Sequence, residues 1–407
     1  MTLPNSDQDS SQTSAPIRSH LNLDFATELV HQDIRSASQK LIDDEHRYQP
    51  IFTGTGQEYF KIWIVNLCLT LISLGIYSAW AKVRRLQYFD RNTQIAGACF
   101  NFHGNPLTIL RGRIIAAVLL FLYHYVFGLS QGFALVFATF LLFSIPWMMR
   151  SALRFRLRNT SYRGLRFDFT GTLMAAYANY LPITLMFVLP ALIAVLADEI
   201  WYSLIPSLLY LLWPWFHARM KRYQHANFAF GQKHASSTLS GGAFVWPYFL
   251  TGIYILLFTI LAGILTGIIV AAHGINDVGE QSAMIKWLVP LVVMGVVTLL
   301  AYLVLGPYLQ TRIWNEAWNH SLLDDIRFQS QLPLWAYTRL QSKNAILTLF
   351  SLGLYRPFAV VNSYQFRLSY IAILASEQSL ITHSSTNDGE NAAAESSAEF
   401  FGFDLSW

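Results

Sequence analysis

Eight apolar stretches divide this chain, over residues 60–80, 114–129, 133–149, 173–196, 201–216, 244–272, 287–309 and 345–374. They limit its fold more than any other feature, because a helix crossing the roughly 30 Å hydrocarbon layer needs about 20 apolar residues. Only 13% of the residues are charged and 54% are hydrophobic, against roughly 25% charged in soluble domains. The expected fold is an all-α polytopic membrane protein. The second and fifth stretches are short. The last is interrupted by Gly353, Arg356 and Pro357, which suits a broken or re-entrant segment.

The charge pattern orients the set. Residues 81–113, 150–171, 217–243 and 310–343 carry six, six, four and four Lys or Arg, whereas the connections between them carry none, none and one, Lys286. By the positive-inside rule the basic loops are cytoplasmic. Three helical hairpins then hang between two single terminal segments. Full terminal spans are expected and would put both tails outside; re-entrant terminal segments, the alternative, would put both tails inside. The domain plan is an acidic tail over 1–50, a membrane domain over 51–375 and a second acidic tail over 376–407. Both tails are expected to be largely disordered, apart from an amphipathic helix near 21–41. The polar start contains no apolar signal-peptide core.

A repeated unit runs through the membrane domain. Trp80, Arg84, Tyr88 and Asn92 recur at identical spacing as Trp215, Arg219, Tyr223 and Asn227. Looser copies read Trp147, Ser151, Phe155, Asn159, then Tyr308, Arg312, Glu316, His320, and finally Phe358, Asn362, Phe366, Tyr370. Steps of four place such side chains along one helical stripe. The indole suits the bilayer interface, the arginine can stack on an aromatic ring nearby, and asparagine suits a helix end. After Asn92 come Gly97, Phe100, Phe102 and Gly104, and after Asn159 come Gly164, Phe167, Phe169 and Gly171. These read as short cytoplasmic β-hairpins over 93–102 and 160–169. Phe52-Thr-Gly54 resembles the closing half of such a unit. Residues 70–77 (TLISLGIY) return as 348–355 (TLFSLGLY), so the terminal segments are related.

The Phe52-Thr-Gly-Thr-Gly run with Tyr59-Phe60, the Leu-Gly-Ile-Tyr-Ser-Ala-Trp-Ala-Lys stretch at 74–82 and the Arg-Arg-Leu-Gln-Tyr after it resemble the YjgN-like family. These are multi-pass proteins of the bacterial inner membrane, grouped as a domain of unknown function. The resemblance covers about residues 50–375. It implies an inner-membrane location and carries no activity or catalytic residues with it.

No catalytic, phosphate-binding or metal motif is present, so the chain is expected to be no enzyme and to hold no cofactor or metal. Cys68 and Cys99 form no framework. His217 and His225 lie two helical turns apart, which is a poor metal spacing. His124, between two tyrosines, reads as structural. Gly263 and Gly267 read as a helix-packing pair. Asn66 and Asn179 are the polar residues nearest the span interiors and read as helix–helix glue. No carboxylate falls at mid-depth in a span, which weighs against ion-coupled transport.

The candidate interface residues are therefore basic and aromatic. They comprise the stripe members Trp80, Arg84, Tyr88, Asn92, Trp147, Phe155, Asn159, Trp215, Arg219, Tyr223, Asn227 and Arg312. Their basic neighbours Arg85, Arg150, Arg154, Lys221 and Arg222 complete the set. Such side chains either bind anionic lipid headgroups or only set topology; nucleic acid is not expected. Two function classes follow. One is a transporter- or channel-like protein for a small or lipidic solute. The other is a membrane scaffold that binds lipids or a partner through its cytoplasmic face. A polar cavity favours the first and a packed interior the second.

Overall fold

The chain folds as a repeating unit of rising helix, descending helix, strand, tight turn and strand. The computed structural model describes residues 46–127, 131–196, 201–272, 280–376 and Ser379. Two short strands, β1 (His46–Tyr48) and β2 (Ile51–Phe52), precede helices α1 (Gly56–Ile72) and α2 (Ser78–Arg91). The hairpin of β3 (Thr93–Ile95) and β4 (Ala98–Phe102) follows. Next come α3 (Pro106–Phe127), α4 (Gln131–Arg158), β5 (Thr160–Tyr162) and β6 (Leu165–Phe169). The third unit is α5 (Leu173–Leu196), α6 (Trp201–Ser207), a 3₁₀ turn, α7 (Trp213–Ala226), β7 (Phe228–Phe230) and β8 (Lys233–Ser237). The fourth is α8 (Val245–Ala272), α9 (Glu280–Asn319), β9 (Ser321–Leu323) and β10 (Ile326–Ser330). The chain then forms α10 (Leu334–Phe350), α11 (Arg356–Leu368) and β11 (Ile371–Ala375).

Local chemistry explains the elements. Thr55 opens α1 with a capping box, its hydroxyl accepting from the Glu58 amide while the Glu58 carboxylate accepts from the Thr55 amide, both at 3.3 Å. This satisfies two amides that no helical carbonyl reaches. The turns of β3–β4 and β5–β6 are two residues long, Ala96-Gly97 and Arg163-Gly164, with φ of 45° and 76°, and of 50° and 81°. Two successive left-handed residues match the twist of the flanking strands. The hairpins read from the sequence at 93–102 and 160–169 are both present.

The all-α expectation needs correction. The hairpins do not stand apart but join into one eleven-stranded sheet, ordered β1-β11-β10-β9-β8-β7-β6-β5-β4-β3-β2. Neighbouring units are sewn together by β4–β5, β6–β7 and β8–β9, all antiparallel. The outermost strands, β1 and β2, are separated only by Gln49 and Pro50. The sheet therefore curls until its edges meet, so that no long edge stays open for pairing with another chain.

One hydrogen bond repeats around this ring and identifies its units. The residue after each closing strand donates its amide to the carbonyl of a stripe's last residue. The pairs are Thr53 to Asn92 (2.9 Å), His103 to Asn159 (2.8 Å), Thr170 to Asn227 (2.8 Å), Thr238 to His320 (3.0 Å) and Gln331 to Tyr370 (3.1 Å). The weak fourth and fifth stripes thus hold the same structural places as the clear ones. The fifth unit is split, with β11 from the end of the membrane domain and the β1–β2 strand from its beginning.

The terminal segments also need correction. Neither 60–80 nor 345–374 is a single span. After α1 the chain reverses through Leu74 (φ 50°) and Gly75 (φ 92°), and after α10 through Leu352 (φ 50°) and Gly353 (φ 91°). The Gly75 amide reaches the Thr70 carbonyl and the Gly353 amide the Thr348 carbonyl, each at 2.8 Å. Bonds of this kind end a helix. Because β2 and β3 pair, with Phe52 opposite Thr93, α1–α2 leaves the sheet and returns to it as a helical hairpin, and α10–α11 does likewise. Hydropathy alone cannot register this reversal, since the turn itself is apolar. Its tips are bare, with Leu74 and Leu352 each 94% exposed.

Among the described residues, three helices are long and apolar enough to cross a membrane, over Leu173–Pro190, Val245–Ala272 and Leu288–Asn319. The described residues thus show three candidate spans rather than the expected eight. The Gly263–Gly267 pair on α8 meets nothing within 4 Å of either glycine's Cβ position, so it marks no helix contact within the described residues.

Candidate binding cavity

The inward face of the ring is built by alternation along its strands. Phe100, Tyr162, Phe167 and Phe230 meet there, Phe100 lying 5.0 Å from Tyr162 and Phe167 4.8 Å from Phe230 between ring centroids. Above this aromatic floor opens a cavity of about 1450 Å³, walled by α1, α2, α9, α10 and α11 and reached by Arg113 of α3 and Arg156 of α4. Its wall carries six basic side chains, Lys82, Arg85, Arg113, Arg156, Arg356 and Arg367, against one acidic side chain, Asp90. Arg156 holds Asp90 through two bonds of 2.9 and 3.1 Å, a fork that fixes orientation as well as charge. The balance of the wall is thus strongly positive.

Several polar atoms on this wall have no hydrogen-bond partner among the described residues. They are the amide oxygens of Asn66 and Asn344, Nε1 of Trp314 and Nε of Arg367. Arg367 lies over the Trp314 ring at 5.3 Å, so the two donors sit together. Buried polar groups are nearly always satisfied, so these atoms mark the wall as able to hold a polar ligand. Asn66 and Asn344 stand at the same position of the two related short hairpins, four residues before Thr70 and Thr348. Asn179, by contrast, bonds the Ala175 carbonyl of its own helix at 2.7 Å.

The stripe residues are distributed around the ring and do not converge. Arg84 lies over the Tyr77 ring at 5.6 Å, and Arg219 donates to the Ala178 carbonyl at 3.4 Å. Both are exposed, and neither pairs with its own tryptophan and tyrosine as the spacing suggests. Arg312 does stack on its own Tyr308, at 5.8 Å. Arg150 is occupied by the Gly171 carbonyl at 2.7 Å. Trp147 and Trp215 are exposed and Trp80 half-buried, while Arg154 and Lys221 are partly buried and Arg222 exposed. Only Arg85 of this set faces the cavity.

Tyr88, Phe155 and Tyr223 serve the architecture. Each lies against a Phe-x-Gly corner, where a Cβ on Gly54, Gly104 or Gly171 would meet the phenylalanine ring at 2.6 Å or less. Asn92, Asn159 and Asn227 cap their helices through bonds of 2.7–2.8 Å to the carbonyls of those same residues. Burial and the nearby Glu58 charge push the Tyr88 hydroxyl up to about 12.

The two histidines are engaged separately. His217 meets the Tyr248 hydroxyl at 2.9 Å and His225 the Ser321 hydroxyl at 2.9 Å. Burial, helped by Lys221, pushes His225 down to about 3, so it stays neutral at the sheet. The side chain of His124, the external turn with Asp198 and Glu199, the 21–41 helix and both tails beyond Ser379 and before His46 lie outside the described residues.

Arg156 belongs to the run of six arginines from Arg150 to Arg166 that sequence reasoning offered as a headgroup site, whereas Arg113, Trp314, Arg367 and Asn344 were not singled out. Asn344 carried a signal, since it repeats Asn66 within the duplicated terminal segments. The others converge only through the ring topology.

Comparison with known proteins finds relatives named as inner membrane proteins. The inner membrane protein YjgN of Salmonella typhimurium (strain LT2) is 32% identical over 151 residues, which is 35% of this chain and 37% of that protein. Its namesake in Escherichia coli O157:H7 is 31% identical over 141 residues, 33% of this chain and 34% of the relative. In Escherichia coli K12 the figures are 33% over 125 residues, 29% and 30%. The chain thus matches about a third of the length of these curated relatives. No solved structure matches. Residues 47–400 match the family described as "Bacterial protein of unknown function (DUF898)", and the chain, an inner-membrane protein with three helices fit to span a bilayer, belongs to that family.

Proposed function

We propose that this protein is transporter- or channel-like, passing a small or lipidic solute through the cavity at the centre of its repeat units. In this reading the three long hairpins, α3–α4, α5–α7 and α8–α9, cross the bilayer. The sheet lies on the cytoplasmic side with the basic loops, and the two short hairpins dip into the membrane from that side. Both tails are then cytoplasmic. The observation that carries the reading is the cavity itself, about 1450 Å³ with six basic side chains on its wall. Charged groups at membrane depth are expensive and characteristically face a ligand or water path. Construction from repeats around a central site is a common transporter plan.

The test is translocation by the full chain in proteoliposomes, using fluorescent phospholipids and a small anionic dye. Faster transfer than in protein-free vesicles is expected. Ala345→Trp, which puts a bulky ring on the cavity wall, should reduce it severalfold. The alternative is a lipid-holding scaffold, favoured by the exposed arginines Arg84 and Arg219 on the outer stripes. Firm lipid retention without transfer of any probe would support that alternative and reject transport.

A further inference from the structure

The five units are unequal above the sheet, and the inequality falls on one side. In α4 and α9 the descending helix begins at Gln131 and Glu280, long before the first stripe residues Trp147 and Tyr308. At 1.5 Å per residue these helices rise about 24 and 42 Å beyond the stripe. In the third unit α6 and the 3₁₀ turn carry the descent from Trp201, well before Trp215, whereas in the first and fifth units α2 begins at Ser78 and α11 at Arg356, only just before Trp80 and Phe358. These two units are neighbours, since α11 packs on α1 and Phe358 stacks on Phe60 at 5.5 Å. Over them the ring of tall helices is interrupted. The cavity reaches into this gap, for Leu299 and Tyr302 of α9 and Leu349 of α10 line it while remaining 44–66% exposed.

The same short hairpins bring polar groups to the cavity. Asn66 and Asn344 are 7% and 3% exposed, and each presents an amide oxygen with no partner. The Asn344 amide nitrogen bonds Ser363 at 3.2 Å, and Ser363 is the fifth-unit counterpart of Arg85 in the alignment of the two hairpins. Arg85 and Arg356 both line the cavity and both lie near enough to Tyr59 for their charges to act on its hydroxyl. An opening toward lipid, apolar walls, a cationic lining and unsatisfied acceptors together describe a ligand with an acyl chain, an anionic phosphate and a hydroxyl to donate.

We infer that the cavity takes up an anionic, hydroxyl-bearing phospholipid from the side, over the α1–α2 and α10–α11 hairpins. Arg85 and Arg356 receive the phosphodiester, and Asn66 and Asn344 accept from the headgroup hydroxyls. This rests on reading the cavity as a ligand site, but it does not require that the ligand be carried across.

Delipidated full-length protein in detergent should be titrated with phosphatidylglycerol, phosphatidylmethanol and phosphatidylethanolamine, with bound lipid counted by native mass spectrometry. Phosphatidylglycerol should bind best, with phosphatidylmethanol, an anionic diester lacking headgroup hydroxyls, several-fold weaker. Arg85→Gln combined with Arg356→Gln should cost about tenfold or more for both anionic lipids, since bonds to charged groups are worth roughly 1.5–3 kcal/mol and 1.4 kcal/mol is tenfold. Asn66→Leu with Asn344→Leu should abolish the preference for phosphatidylglycerol over phosphatidylmethanol. Arg84→Gln with Arg219→Gln, on the outer stripes, should leave the site unchanged. Equal loss in that control would mean that lipid binds only around the perimeter and would overturn the proposal. Equal displacement by glycerol phosphate would assign the site to a soluble phosphate and overturn the lipid claim. Anionic preference without translocation would reject transport and leave this inference standing; translocation without anionic preference would do the reverse.

Discussion

At the residue scale, the glycines of the Phe-x-Gly corners explain why the repeat keeps its spacing. A Cβ on Gly171 would lie 2.6 Å from the Phe169 ring and 2.7 Å from the Tyr223 hydroxyl. Phe169 is only 2% exposed and has no room to yield. Gly171→Ala should therefore destabilise the protein by about 1–3 kcal/mol, the usual cost of overpacking, read as a lower melting temperature in detergent. Gly263→Ala, whose surroundings are open, should not. His225 supports a second prediction. Its pKa falls from 6.5 to about 3 on burial, so between those values the unfolded chain binds a proton that the folded chain refuses. The stability contributed is complete above pH 6.5 and is lost as pH falls toward 3, by up to about 1.4 kcal/mol per pH unit. Denaturant melts across that window should show a shallower pH slope in His225→Asn than in the parent. Equal slopes would mean that other groups set the acid response.

At the element scale, the short hairpins are the feature with most consequence for topology. Their tips expose Ile72, Leu74, Phe350 and Leu352 at 80–94%, surface that water would not tolerate and lipid would. Leu74→Trp and Leu352→Trp should be quenched by brominated acyl chains, and cysteines placed at Arg47 and Ser376 should react with impermeant reagents from the same, cytoplasmic side. Reaction of both cysteines from the external side would restore full terminal spans. Much of this was legible locally. The Ala96-Gly97 and Arg163-Gly164 turns, the helix-ending asparagines and the kinship of 70–77 with 348–355 all lie within short windows. The reversal at Leu74-Gly75 was visible as a repeated Leu-Gly pair, but hydropathy ran straight through it. The ring was not legible, because the Phe102–Thr160 pairing and its equivalents join residues separated by a whole helical hairpin and leave no local signature. For the same reason Asn66 could be singled out from its polarity, whereas the partnership of Trp314 with Arg367 could not.

At the scale of the whole molecule, the closure of the ring makes the fifth unit unlike the others. Its opening strand β11 and its closing strand β1–β2 come from the two ends of the domain, yet they pair as the strands of the other hairpins do. The Thr53–Asn92 and Gln331–Tyr370 bonds at its two seams match those at the remaining three. If the repeat rather than the chain order specifies the fold, then the position of the chain break is immaterial. A circular permutant should test this. Ala375 would be joined to His46 through a two-residue turn such as Asn-Gly, with residues 376–407 and 1–45 removed and new ends opened between Gly241 and Gly242. Both glycines have open space around them, which suits a new terminus. The permutant is expected to insert, to melt within a few degrees of a tail-less linear control and to bind the same lipids. A version in which Phe328→Asp also burdens the inward face of β10, which pairs with β11, should fail in both chain orders. If the permutant alone fails while the tail-less linear control folds, the fifth unit is not equivalent to the others, and the domain depends on its chain order.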